Sequence, residues 1–268
     1  MGKSSISIIG CGWLGLPLAE KLIEEGYDVK GSTTTPQKLE ILHEKKIEAH
    51  QILLNPHLHC STTEIFFDSN ILIINIPPSR NSNVLEFFPQ QIKSVMAEIN
   101  KSKIDYMLFI SSTSVYAENN KLVTEDSELD PVTDSGKALV IAEGLIRADI
   151  NFQTTILRFG GLVGPGRNPA RFFAGRKDIP GGNTKINLIH LDDCIDIILT
   201  IIKSRLWGEV FNAVSDFHPT KKDFYLKAAE HYNLEKPEFS EVDQDYKIVS
   251  SAKIKSIMGN EFVFRKFY

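Results

Sequence analysis

A short β-branched run that ends in three spaced glycines constrains the fold of this chain more than any other feature. The run is SISIIG, and Gly10, Gly12 and Gly15 follow the pattern G-x-G-x-x-G. Apolar residues then recur with helical spacing, at Leu14, Leu18, Leu22 and Ile23. A strand, a glycine-rich turn and a helix in this order are typical of the first unit of a parallel α/β sheet.

Strands and helices continue to alternate after this first unit. The segments YDVKGST, NILIINIP, DYMLFISS and QTTILRFGG predict strands, and helical patterns such as FFPQQIKSVMAEINKS and KALVIAEGLIRA lie between them. Nearly continuous apolar runs are typical of strands that are buried on both faces of a parallel sheet. The sequence therefore predicts an α/β fold, a Rossmann-type doubly wound parallel sheet with a small C-terminal substrate lobe. Residues 1–160 should form the Rossmann core, and residues 161–268 should complete the sheet and form the lobe.

The glycine pattern predicts a dinucleotide-binding turn because each glycine has a separate task. Gly10 makes the tight turn, Gly12 lets the backbone approach a pyrophosphate, and Gly15 lets the helix pack against the strand. Ligands of doubly wound sheets bind at the carboxyl ends of the strands, so the ends of two later strands should face the same crevice. Outside the second strand, the predicted cofactor-binding residues are Gly10, Gly12, Trp13, Leu14, Gly15, Ile76, Pro77, Pro78 and Ser111.

The end of the second strand bears on the choice between NAD and NADP. An NAD site usually has Asp or Glu there, on the ribose diol, whereas this chain has KGSTTTPQK. Ser32, Thr33 and Thr34 can donate hydrogen bonds to a 2′-phosphate, and Lys38 can add positive charge. This pattern favours NADP over NAD, although a threonine before a proline is also an ordinary helix start.

Composition and charge narrow the classes of partner. The net charge of −4 is not typical of a nucleic-acid-binding surface. No apolar run reaches the roughly 18 residues of a membrane helix, so we expect no membrane partner. Three cysteines far apart in the chain argue against a disulfide framework and favour a reducing, cytoplasmic location. The short loop NPHLHC offers three ligand types without a fourth, and we expect no metal site.

Several segments together resemble the extended short-chain dehydrogenase/reductase superfamily, which includes nucleotide-sugar epimerases and dehydratases. The similar segments are ISSTSVYA at 110–117, LRFGGLVGPG at 157–166, IHLDDC at 189–194, GEVFNAV at 208–214 and the tail SSAKIKSIMGNEF. The order and spacing of these segments carry the resemblance over nearly the whole chain. It implies a cofactor-binding fold and, in some members, a homodimer.

The resemblance also implies a catalytic serine, tyrosine and lysine. The serine would be Ser112, but the family's Tyr-x-x-x-Lys pair falls on Ser135 and Leu139 in the stretch PVTDSGKALVIAE. A serine hydroxyl cannot replace a tyrosine that a neighbouring ammonium activates. Tyr116 and Lys137 are therefore the substitute candidates for proton transfer, beside the alternatives of a packed ring and a solvated helix start.

Two functions remain open at this stage. The first is an NAD(P)-binding oxidoreductase or isomerase that acts on a small sugar-like or phosphorylated substrate, with Arg167, Arg171 and Arg176 as possible clamps on an anionic group. The second is a catalytically degenerate protein that senses NADP(H) and regulates a partner. The segment IIGCGWLGLPLAEKL also suits a hydroxyacid-dehydrogenase-like protein, but IHLDDC and GPG argue against that class.

Overall fold

A computed structural model describes residues 4–79 and 83–259 of the chain. The strands are β1 Ser5–Ile9, β2 Asp28–Thr33, β3 Glu48–Gln51, β4 Leu53–Leu54, β5 Leu58–His59, β6 Ile71–Ile74, β7 Tyr106–Ser112, β8 Leu122–Val123, β9 Gln153–Phe159, β10 Gly161–Val163, β11 Leu188–His190, β12 Val210–Ala213 and β13 Ile248–Val249. The helices are α1 Gly15–Glu24, α2 Lys38–Glu44, α3 Thr63–Phe67, α4 Val84–Ile99, α5 Asp134–Arg147, α6 Leu191–Lys203, α7 Lys221–His231 and α8 Ala252–Met258. Short 3₁₀ turns occupy Thr113–Val115 and Pro169–Phe172.

Seven parallel strands form the central sheet, in the order β12-β9-β7-β6-β1-β2-β3. The strand order reverses direction between β1 and β6, which creates the crevice at which ligands of such sheets bind. The predicted Rossmann-type parallel sheet is thus confirmed. Strand β12 comes from the C-terminal part of the chain and pairs with β9, with Val210 opposite Ile156.

Helices cover both faces of the sheet and divide the core into two layers. On one face, α1, α6 and α8 pack against the inner strands through residues such as Leu18, Ile198 and Ile254. On the other face, α4 and α5 do the same through residues such as Ile92 and Ala142. Since both faces are covered, strands such as β6, which is buried along its whole length, need no polar alternation.

Helix α4 begins at Val84, before the start that the segment FFPQQIKSVMAEINKS predicts, and carries Pro89 inside it. Pro89 has no N–H with which to bind the carbonyl of Leu85, so the helix lacks one backbone hydrogen bond at this turn. The tail segment that entered the resemblance forms α8, and its residues from 260 onward lie outside the described residues. Within residues 4–79 and 83–259, no helix has the length and apolarity needed to cross a bilayer.

Candidate dinucleotide groove and adjoining cleft

The three glycines of the first turn meet different surroundings. A Cβ on Gly10, whose φ is +101°, would lie 2.5 Å from the carbonyl oxygen of Asn75, and one on Gly15 would lie 2.2 Å from that of Gly10. Only glycine fits these two positions without a backbone shift. A Cβ on Gly12 would meet nothing within 4 Å. The turn is therefore closed where it packs on the protein and open at the glycine that a pyrophosphate approaches.

Asn75 fixes this turn, and sequence reasoning missed it. Its side-chain Nδ2 donates to the carbonyl oxygen of Gly10 at 3.0 Å, and its backbone N–H donates to that of Ile9 at 2.9 Å. Helix α1 then begins without a side-chain cap and without an acidic residue in its first turn. An uncapped helix start of this kind favours an anion, because its amides and dipole carry partial positive charge. The polar residue at the end of the apolar run NILIIN was the available signal.

The hydroxyl residues at the end of β2 have separate roles. Ser32 is 2% exposed, and its Oγ accepts a hydrogen bond from the Gly10 N–H at 3.0 Å. The Oγ1 of Thr33 accepts from the Thr35 N–H at 3.2 Å. Thr34 and Lys38 are exposed at the rim. Ser32 thus braces the glycine turn, while Thr34 and Lys38 face outward.

A groove of about 610 Å³ runs along the carboxyl ends of the central strands. Every predicted cofactor-binding residue lines it except Gly15, which packs behind the turn. The lining residues are Gly10–Leu14, Ser32–Thr35, Lys38, Asn75–Pro78, Ile110–Ser112, Leu139, Phe159–Leu162 and Arg167. Among these described residues, Lys38 and Arg167 supply the formal charge, and both are positive. Cys11 adds no thiolate, because burial raises the pKa of its thiol to about 12.

Trp13 connects the glycine turn with the loop after β10. Its indole Nε1 donates to the carbonyl oxygen of Pro165 at 2.8 Å, and the guanidinium carbon of Arg167 lies 5.2 Å from its ring centroid. Arg167 therefore lies on the groove. The other two predicted clamps, Arg171 and Arg176, line neither the groove nor the second cavity described next.

A second cavity, called the cleft below, has a volume of about 1160 Å³ and adjoins the groove. Ser112 lines both cavities. Its Oγ accepts from the Ser114 N–H at 3.1 Å, which leaves the hydroxyl hydrogen for another partner. The cleft is lined by residues 112–114, Glu118, Asn120, Val132, residues 183–188, Lys221, Tyr225 and residues 243–247.

Tyr116 does not reach either cavity, which contradicts the expectation that it transfers a proton there. Its side chain is 1% exposed, its hydroxyl donates to Asn212 Oδ1 at 2.8 Å, and it accepts from Arg158 Nη1 at 2.6 Å. Burial raises the pKa of the Tyr116 hydroxyl, although the Arg158 guanidinium opposes the shift. The ring packs in the hydrophobic core, after the 3₁₀ turn Thr113–Val115 that follows β7.

Lys137 also lies outside both cavities. It is 51% exposed and forms an ion pair with Asp134 at 3.6 Å on the surface of α5. Leu139, to which the resemblance assigns the lysine position, is buried and lines the groove instead. Helix α5 is fixed at its start by Thr133, whose Oγ1 accepts from the Gly136 N–H at 3.1 Å. The helix thus presents an apolar side chain to the groove where the family would present an ammonium.

A buried polar network lies under the wall that separates the groove from the core. Arg158 donates to both carboxylate oxygens of Glu143, at 3.1 and 2.5 Å, and Ser111 Oγ donates to Glu143 Oε1 at 2.6 Å. Burial alone would lower the pKa of Arg158, but the ion pair with Glu143 outweighs burial and raises it. The network links α5, β7 and β9, and it holds the groove residue Ser111 in place.

The cleft contains a second buried cation that sequence reasoning missed. Lys247 is 5% exposed, donates to the carbonyl oxygen of Tyr116 at 3.1 Å and forms an ion pair with Glu118. Asn187 holds this segment through bonds of 2.9 Å from its Nδ2 to the Lys247 carbonyl and from the Val249 N–H to its Oδ1. No local motif marks these residues, because they come from segments that meet only in the folded chain.

Comparison with known proteins agrees with this geometry. A family model described as the NAD binding domain of 6-phosphogluconate dehydrogenase matches residues 5–129. Protein YeeZ of Escherichia coli strain K12 is 34% identical over 263 residues, which cover 97% of this chain and 96% of YeeZ.

A UDP-Glc/GlcNAc 4-epimerase from Campylobacter jejuni superimposes with a TM-score of 0.79 at 16% identity, over 95% of this chain and 92% of the epimerase. A short-chain dehydrogenase/reductase superfamily protein from Agrobacterium tumefaciens with bound NAD gives a TM-score of 0.78 at 16% identity, over 98% and 93%.

The parallel sheet, the glycine turn and the groove define an NAD(P)-binding Rossmann protein with the fold of the extended short-chain dehydrogenase/reductase superfamily. The family model matches residues 5–129, whereas the superposition on the Campylobacter jejuni epimerase covers 95% of the chain. Within this class, the chain belongs to the same protein family as Escherichia coli YeeZ.

Proposed function

We propose that this protein is an NADP(H)-dependent oxidoreductase or isomerase that acts on a small sugar-like or phosphorylated substrate. The observation that carries the proposal is the position of Ser112, which lines both the groove and the cleft. A dinucleotide in the groove and a substrate in the cleft would meet at this residue. In this proposal residues 1–160 are the dinucleotide-binding core, and residues 161–268 complete the sheet and supply most of the substrate lobe.

Different residues of the groove would bind different parts of the dinucleotide. The Gly10–Leu14 turn and the start of α1 would hold the pyrophosphate, and Ile76, Pro77 and Pro78 would pack against the adenosine half. Ser111 would face the nicotinamide half, beside Ser112. The cofactor, when bound, supplies or accepts the hydride; the protein positions it and keeps water from the reacting carbon.

The preference for NADP rests on the rim of the groove. Thr34 and Lys38 are exposed there, and no carboxylate lines the described part of the groove, so nothing would take the ribose diol as an acidic residue does in NAD sites. Lys38 makes no ion pair within residues 4–79 and 83–259. Its exposed ammonium can therefore interact with a 2′-phosphate. NADP is therefore favoured over NAD.

Ser112 is the proposed catalytic residue, as a hydrogen-bond donor to the substrate oxygen. Tyr116 and Lys137 are not retained, because one is bound to Arg158 and Asn212 in the core and the other pairs with Asp134 on the surface. The position that the family gives to its lysine is occupied by Leu139. The proton donor of this protein would thus come from the cleft side and not from α5.

The first test compares two glycine-to-alanine variants, one in the glycine turn and one in helix α5 away from the groove. Gly12 and Gly144 both have space for a Cβ, so Gly12→Ala and Gly144→Ala should both fold. For the wild type, saturation with NADPH at about 100 times its Kd should stabilise the fold by roughly 2.7 kcal/mol and raise Tm by about 5–10 °C. Gly144→Ala should keep this shift, and Gly12→Ala should lose most of it, because its methyl group occupies the pyrophosphate position.

The second test separates catalysis from sensing. Turnover of a panel of sugars, sugar phosphates and nucleotide sugars is followed for the wild type and for Ser112→Ala, by NADPH absorbance for oxidation or reduction and by product chromatography for isomerisation. The proposal predicts turnover with at least one substrate class and its loss in Ser112→Ala, with the thermal shift by NADPH unchanged. Binding of NADPH without turnover of any compound would favour the alternative, a regulatory protein that senses NADP(H).

A further inference from the structure

Two lysines line the cleft besides Lys247. Lys185 and Lys221 both line the cleft and are both half-buried. In the described part of the chain, neither makes an ion pair. Other lysines of the chain are paired, such as Lys247 with Glu118 and Lys203 with Glu25. A half-buried ammonium without a counter-ion is costly, so this pair is unusual for a purely structural role.

The backbone holds the two lysines close to each other. Lys185 forms an isolated antiparallel bridge with Thr220, and the Lys221 N–H donates to the carbonyl oxygen of Thr184 at 2.8 Å. The Lys221 ammonium itself donates to the carbonyl oxygen of Pro180 at 3.0 Å, which still leaves donors for a ligand. Two positive charges that adjoining segments direct to one cavity repel each other unless an anion lies between them.

Aromatic rings line the site beside Lys221. Its ammonium lies 5.1 Å from the ring centroid of Phe173, and the Tyr225 ring meets Phe173 edge-on at 4.5 Å. Tyr225 follows Lys221 by one helical turn of α7 and also lines the cleft. Burial raises the pKa of the Tyr225 hydroxyl and lowers that of the Lys221 ammonium. The tyrosine is therefore a neutral donor, and no carboxylate counters the effect of burial on the lysine.

Three acidic residues, Glu118, Asp243 and Asp245, also line the cleft. Glu118 is paired with Lys247, and Asp245 accepts a hydrogen bond from Asn120 at 2.6 Å. Asp243 is exposed on the rim and makes no ion pair with Lys185 or Lys221 in the described structure. The carboxylates that line the cleft thus make no ion pair with Lys185 or Lys221 in the described structure, and both ammonium groups can bind an anion.

We propose that Lys185, Lys221 and the Tyr225 hydroxyl form an anion-binding subsite for a phosphate or carboxylate group of the substrate. The inference rests on the proposed function only in that the cleft is taken as the substrate site. It narrows the substrate to compounds with an acidic group some distance from the carbon that reacts beside Ser112. Neutral sugars would lack the contact.

The test measures binding of inorganic phosphate and of malonate by titration calorimetry, on the full-length protein with saturating NADPH so that the groove is occupied. The variants are Lys221→Met, Lys185→Met and the control Lys222→Met, which removes the exposed lysine next to Lys221 outside the cleft. Each cleft variant should weaken anion binding about tenfold, as the loss of a charged hydrogen bond does. Lys222→Met should stay within about twofold of the wild type.

The two anions distinguish the source of the acidic group. Tighter binding of phosphate points to a phosphorylated substrate, and tighter binding of malonate points to a sugar acid or another carboxylate. Lys221→Arg should retain most of the binding, which separates loss of charge from a folding defect. Binding that is equal in Lys221→Met and Lys222→Met overturns the subsite.

Failure of the subsite and failure of the proposed function give different results. A wild-type protein that binds NADPH but neither anion leaves the proposed function intact and rejects the subsite. A protein that binds phosphate through Lys221 but shows no NADPH binding rejects the proposed function and keeps the subsite.

Discussion

The groove and the cleft share Ser112, but they are built from different kinds of contact. The groove is lined by glycines, small hydroxyl residues and apolar side chains at strand ends, with the glycine turn at its centre. The cleft is lined by mostly polar and charged residues from five separate segments of the chain. A groove of the first kind suits a ligand that is the same in many proteins, whereas the second kind can change its specificity by single substitutions.

The wall between the groove and the core depends on the buried pair of Arg158 and Glu143, and loss of this pair should have the largest effect. Arg158→Leu leaves the Glu143 carboxylate buried without its partner and should lower the free energy of unfolding by about 3–5 kcal/mol. Chemical denaturation measures this loss. The double variant Arg158→Leu/Glu143→Leu should recover part of it, because no charge is then left alone. Equal stability of the single and double variants would contradict this account of the wall.

A smaller effect, confined to cofactor binding in the groove, is expected from a substitution of Lys38. Lys38→Glu should weaken NADPH binding by about tenfold or more, because a repulsive charge replaces an attractive one beside the 2′-phosphate. NADH has no such phosphate, and its Kd should change little. Fluorescence titration of both cofactors measures the ratio, and Lys46→Glu on the loop after α2 is the matched control. If the two Kd values rise together, the 2′-phosphate does not lie near Lys38.

The smallest expected effect is a change with pH in the stability that Lys221 contributes in the cleft. Burial lowers the pKa of Lys221 below the ordinary lysine value of 10.5, so the unfolded chain holds this proton more tightly than the folded chain. In the pH window between the lowered value and 10.5, stability from this group should therefore rise with pH. The Tm of the wild type relative to Lys221→Met should increase as pH approaches 10, in a buffer without phosphate or carboxylate. A difference in Tm that stays flat with pH would contradict the role given to burial.

Much of the fold could be predicted from the sequence because the signals are local. The SISIIG run, the spacing of Gly10, Gly12 and Gly15, and the apolar run of β6 each act through neighbours in the chain. The residues predicted for the groove, apart from Gly15, line one cavity because the carboxyl ends of neighbouring parallel strands meet at the same edge of the sheet. The role of Asn75 in fixing the glycine turn was not predicted, because its hydrogen-bond partner, the Gly10 carbonyl, is distant in sequence.

The tertiary structure decided which polar groups can do chemistry. Tyr116 and Lys137 were the substitute candidates for proton transfer, yet packing against Arg158 removes the first from the site and the surface of α5 removes the second. The sequence determined the sheet and the dinucleotide turn, since hydrophobic period and glycine spacing are properties of short segments. The membership of the cleft, with Lys221 and Lys247 in it, depends on long-range contacts that no short segment encodes, and so only the folded chain brings it together.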